Sequence, residues 1–111
     1  MSSSQNIIKY VKHNKIRLKT GETREKTSRV LLEFFNEIEK KPTGMKGFMI
    51  MDDLQDQQES IVLTFWERKK DMDSFYKSDN KPLGNLVEKL KPSLEQMPVR
   101  KDYQVSDFKV W

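Results

Sequence analysis

Asn14 lies in a run of strand-forming residues, with Tyr10, Val11, Ile16 and Leu18 around it, and its type and setting are the first in this chain to suggest chemistry. A carboxamide on an inward strand face must find hydrogen bonds or cost stability, so it either binds neighbouring backbone or serves a pocket. His13, the one histidine, could act as a general base near neutral pH; between Lys12 and Lys15, a solvated or interface position explains it too. Tyr10, Phe75 and Tyr76 could wall a flat aromatic substrate, or fill a core, the usual role of aromatics at helical spacing. Trp66 ends the apolar run IVLTFW and reads most simply as a core or subunit-interface aromatic whose indole N–H needs a partner. Asp52 and Asp53 do not read as paired acids, because adjacent strand residues point to opposite faces.

Composition narrows the chemistry further. The chain has no cysteine, which removes thiolate nucleophiles, thiol redox chemistry and cysteine-ligated zinc, and one histidine cannot build a His-rich metal site. No metal is expected. Lys and Arg number 21 against 17 Asp and Glu, but the signs interleave in KKDMD and VRKDYQVSD, so a mixed solvated surface is expected and a nucleic-acid partner is not. No apolar stretch approaches the roughly 20 residues of a membrane span. MSSSQ lacks the features of a secretory signal, and a cytoplasmic location is expected. With 111 residues, one domain over 6–111 is expected behind a short disordered tail at 1–5.

These residues need elements to position them. IIKYVKHNKIRLK, residues 7 to 19, reads as a long first strand ended by KTGET, its even positions inward and His13 on the more basic side. Residues 22 to 40 carry Val30, Leu31, Phe34, Phe35 and Ile38 at helical spacing, with Thr20 or Gly21 as cap and a stop before Pro42. MKGFMIMDD and SIVLTFWE form a hairpin; both faces of its second strand are apolar, so something packs on each. Residues 69 to 77 form a short helix, and Asp79 or Asn80 caps a further one bearing Leu83, Leu86, Val87, Leu90 and Leu94 on one stripe, which should kink or end near Lys91 because of Pro92. DYQVSDFKVW reads as a fourth strand.

The order β-α-β-β-α-β predicts an α+β, ferredoxin-like fold, an antiparallel sheet with its helices on one face. The bare face predicts a homodimer. GFMIMDDLQDQQESIVLTFWERKKDMDSFYKSDN also resembles the antibiotic-biosynthesis monooxygenase superfamily, in its Gly-aromatic strand, polar hairpin, strand closing on Trp-Glu and short aromatic-bearing helix. The resemblance spans residues 8 to 111 and implies a dimeric α/β barrel. Members include cofactor-independent oxygenases of quinols and polycyclic phenols, and haem degraders that use a first-strand asparagine, a tryptophan and an axial histidine. Against the haem pattern Asn14 matches, but Phe75 replaces the tryptophan and Asn85 the histidine. Conventional haem degradation is not expected, and a haem-binding variant would need another iron ligand.

Two functions follow. One is a cofactor-independent monooxygenase of a small aromatic, phenol or quinol, with Asn14, Tyr76 and His13 as candidate catalytic groups and Tyr10, Trp66, Phe75 and Asn85 as candidate substrate contacts. The other is a non-catalytic dimeric protein binding a small hydrophobic ligand.

Overall fold

A computed structural model describes residues 7–41 and 43–111; the expected tail at residues 1–5, Asn6 at the start of the expected domain, and Pro42, expected to end the first helix, lie outside the described residues. In chain order the elements are β1 (Tyr10–Arg17), α1 (Arg24–Ile38), β2 (Met45–Asp52), β3 (Glu59–Trp66), α2 (Lys69–Phe75), α3 (Lys81–Leu90) and β4 (Val99–Gln104), with a 3₁₀ turn, Lys91–Ser93, after α3. The sheet runs β2-β3-β1-β4 with every neighbouring pair antiparallel. This is the expected ferredoxin-like order, its second helical crossover divided into α2 and α3.

Side-chain alternation along the two central strands separates the faces. Asn14, Ile16 and Leu18, with Ser60, Val62, Thr64 and Trp66 of β3, are buried. Their apolar members join one core with Leu31, Phe35 and Ile38 of α1, Met72 and Phe75 of α2, and Leu83, Leu86 and Leu90 of α3. The odd-numbered residues form the other face. The strand registers set Gly47, Phe65, Val11 and Tyr103 in one row across it, and Met49, Leu63, His13 and Lys101 in the next. Met49, Met51 and Tyr103 are exposed there, and Ile61, Leu63 and Phe65 half-buried.

Several expected boundaries shift. The first helix is capped at Thr23, without a side-chain hydrogen bond, and not at Thr20 or Gly21. Gly21 instead takes φ 93° in the turn before it, a conformation glycine reaches without steric cost. The fourth strand is Val99–Gln104 and not residues 102 to 111, because its partner runs out: Gln104 faces Tyr10, and the last link is the Val105 N–H to the Lys9 carbonyl at 2.8 Å. Of the two candidate caps for α3, Asn80 serves, its Oδ1 accepting from the Leu83 N–H at 3.2 Å while its Nδ2 donates to the Phe75 carbonyl at 2.6 Å. Pro92 does end α3 where expected, at Leu90, and the chain tightens into the 3₁₀ turn.

Two devices fix the hairpin against the helical layer. A guanidinium nitrogen of Arg24, at the start of α1, donates to the carbonyls of Asp53 and Asp56 in the β2–β3 loop and of Glu59 at the start of β3. Gly44 has φ 81°, and a Cβ there would lie 2.5 Å from Oδ2 of Asp71, so β2 can begin against α2 only with no side chain at this position.

Candidate functional site

Asn14 lies at the middle of β1, facing Val62 of β3 on one side and Arg100 of β4 on the other. Its side chain is buried, and Nδ2 donates to the Val62 carbonyl at 2.9 Å and to the Tyr76 hydroxyl at 3.3 Å, with the Lys12 carbonyl at 3.4 Å. The bond to a carbonyl fixes the amide orientation, since only the nitrogen can donate. Oδ1 then has no hydrogen-bond partner among the described residues.

Tyr76 continues the chain. Its hydroxyl lies 2.9 Å from Thr64 Oγ1, which also accepts the indole N–H of Trp66 at 2.9 Å. The Tyr76–Thr64 bond can run either way. With Thr64 donating, the phenol keeps its proton free for a ligand; with Tyr76 donating, it offers only a lone pair. Burial pushes the phenol above the ordinary tyrosine value, outweighing the hydrogen bonds from Thr64 and Asn14 and the nearby Arg100 charge, which all favour the anion. At neutral pH Tyr76 is therefore an uncharged hydrogen-bonding group.

Two cations approach its ring, Lys12 Nζ at 4.7 Å and Arg100 Cζ at 4.9 Å from the centroid. Lys12 is nearly buried and ion-paired to Asp102 at 2.5 Å. Arg100 forms no ion pair among the described residues.

Asn14, Tyr76 and Arg100 are the polar side chains of a cavity between sheet and helices, otherwise walled by residues such as Phe34, Phe35, Phe75, Leu83, Leu86 and Leu90. Its volume is about 40 Å³. That is room for water, whereas pockets that take a drug-sized ligand measure roughly 300 Å³ or more, so an aromatic ligand has to part the walls.

Of the residues expected at a site, the structure brings Asn14, Phe75 and Tyr76 together on this cavity. Trp66 lies beneath, fully buried, its ring 5.4 Å from Phe75 and 6.4 Å from Tyr76. His13 is on the opposite face of the sheet, edge-on to Tyr103 at 6.0 Å. Tyr10 borders a separate groove with Gln104 and Val105, and Asn85 is exposed in a groove between α1 and α3. Sequence reasoning missed Thr64 and Arg100. Thr64 left a signal, a hydroxyl on the buried side of an apolar strand with an indole two residues on. Arg100 left none, because only the β1–β4 register places it opposite Asn14. Among the described residues there is no cluster of three His, Cys, Asp or Glu side chains able to hold a metal, and no helix is long and apolar enough to cross a membrane.

No protein-family model matches this sequence, and comparison with curated proteins finds no match. Solved structures do match. A monooxygenase from Streptomyces coelicolor, solved in complex with the ligand nanaomycin D, superposes with TM-score 0.78 at 14% identity, over 95% of this chain and 94% of that one. SnoaB, a cofactor-independent oxygenase from Streptomyces nogalater, gives 0.70 at 7% identity, over 90% and 95%. A provisionally assigned antibiotic biosynthesis monooxygenase from Nitrosomonas europaea gives 0.70 at 14%, over 87% and 89%. At such identities the likeness shows the fold, the expected α+β ferredoxin-like chain.

Proposed function

We propose that this chain is a monooxygenase of a small aromatic phenol or quinol, working without a bound cofactor and as a homodimer. The observation that carries the reading is the hydrogen-bonded line Asn14–Tyr76–Thr64–Trp66 at the wall of an apolar cavity. A ligand hydroxyl at that wall can accept from Tyr76, whose bond to Thr64 can reverse, and, while protonated, donate to the side-chain oxygen of Asn14. Tyr76 is held by Asn14 and Thr64 before a ligand arrives, and a hydroxyl donor fixed in this way stabilises developing negative charge. The fold is shared with enzymes whose activity is oxygenation.

The chemistry closes without an external reductant. In an anthrone-type phenol, the ring carbon opposite the oxygen carries two hydrogens in the keto form. One leaves as a proton to water, giving the phenolate. Dioxygen then bonds to that carbon, and protonation gives a hydroperoxide. Breaking its O–O bond and the remaining C–H bond forms the carbonyl and releases water, so CH₂ and O₂ become C=O and H₂O, and the substrate supplies all four electrons. Tyr76, with Thr64 donating to it, gives its hydroxyl proton to a hydrogen bond with the oxygen anion, Asn14 Nδ2 holds Tyr76 in place, and the apolar walls keep out bulk water beyond the molecule that takes the proton.

Homodimer formation is proposed from the uncovered sheet face. Its middle, Val11, Leu63 and Phe65 with Met49, is apolar and has no acidic residue, so a second copy of the same face is its simplest complement.

One observation favours a second reading, a ligand-binding protein without turnover: the cavity wall contains no carboxylate and no histidine to act as base. Oxygen uptake with anthrone, quinol and phenol probes, alongside ligand-binding titrations, separates the two. Uptake above blank that falls at least tenfold in Asn14→Ala, with the fold intact, supports the oxygenase. Saturable binding with no uptake for any probe supports the binding protein. If Asn14→Ala changes neither binding nor turnover, Asn14 does not belong to the site.

A further inference from the structure

We propose that Arg100 makes the cavity selective for aromatic ligands carrying a carboxylate beside the ring oxygen; this rests on the cavity being the ligand site. Charge accounting around Tyr76 points to it. Of the two cations at its ring, Lys12 is neutralised by Asp102 at 2.5 Å. Arg100 has no acidic partner among the described residues, and the cavity wall contains no acid that could supply one.

Position supports the same conclusion. Arg100 comes from the edge strand β4, directly across from Asn14, and is exposed where Asn14 is buried. The cavity is therefore polar at two places: Asn14 and Tyr76 on its inner wall, and a guanidinium at its open side. The Arg100 group lies over the Tyr76 ring, 4.9 Å from its centroid, which holds it beside the phenol hydroxyl's own aromatic plane. A flat ligand whose oxygen reaches Asn14 and Tyr76 would carry a neighbouring carboxylate to this guanidinium. That ion pair can be bidentate, which suits arginine better than lysine. A neutral aromatic of the same shape gains nothing from it.

Calorimetric titration of wild-type protein with a hydroxynaphthoate, in which the carboxylate is ortho to the hydroxyl, and with the naphthol lacking that carboxylate, tests the assignment. The expected result is at least about tenfold tighter binding of the hydroxynaphthoate. In Arg100→Gln the preference for hydroxynaphthoate over naphthol should vanish, and Arg100→Lys should recover part of it. Arg100 is exposed on an edge strand, so both variants should fold. Naphthol binding with no preference in wild type, or a preference that survives Arg100→Gln, overturns the role of Arg100 and leaves the cavity as a ligand site. Failure of both probes to bind overturns both.

Discussion

Tyr76 shows how one hydroxyl can be both structural and available. It is tied to Asn14 and Thr64, and through Thr64 to Trp66, yet it lines the cavity. Because burial raises its folded-state value above the unfolded one near 10, the folded protein holds this proton more tightly. The associated stability is fully present below about pH 10 and is lost as pH rises through the folded value. Melting temperatures followed upward from neutral pH should therefore fall more steeply above pH 10 in wild type than in Tyr76→Phe; parallel curves would mean that the phenol ionises freely in the fold. Trp66 is the structural end of the same line. It is fully buried and hydrogen-bonded through its indole, so Trp66→Ala should cost about 3–5 kcal/mol in denaturant unfolding. A variant that unfolds with wild type would remove Trp66 from the core.

At the scale of elements, the cavity depends on how the helices approach the sheet. α2 ends at Phe75, which places Tyr76 at its C-cap over Asn14, and Asn80 ties the α2 end to the α3 start through the Phe75 carbonyl and the Leu83 N–H. The other end of α2 lies against Gly44, just before β2, through Asp71. Gly44→Ala combines φ 81° with a clash into Asp71, and should destabilise by about 1–3 kcal/mol in thermal or chemical unfolding. A neutral result would show that β2 can start elsewhere. Most elements were legible in the sequence: alternating β1 and β3, the helical spacing of Leu31, Phe35 and Ile38, and the stop before Pro92 all follow from local sterics and periodicity. β4 was not. Its residues, all exposed, show no burial pattern, and its limits are set by where its partner strand ends.

For the whole molecule, the two sheet faces carry different burdens. One is closed by three helices; the other presents Met49, Leu63, Phe65 and Val11. Leu63→Glu, at the centre of that face, should halve the mass seen by light scattering without lowering helix content, whereas a wild-type protein already monomeric would refute the homodimer. The sequence by itself determined the fold class, the inward parity of Asn14, and the two-sided apolar character of β3, because alternation and helical spacing are properties of neighbours along the chain. Tertiary structure alone decided which candidate side chains meet. It set Tyr76 beside Asn14, 62 residues away in sequence, left His13 on the far face and Asn85 outside, and brought Arg100 to the cavity through strand register. The physical reason is that a hydrogen bond or an ion pair depends on distances of a few ångströms between elements, and these distances follow from helix packing and strand register, which no local pattern of residue types encodes.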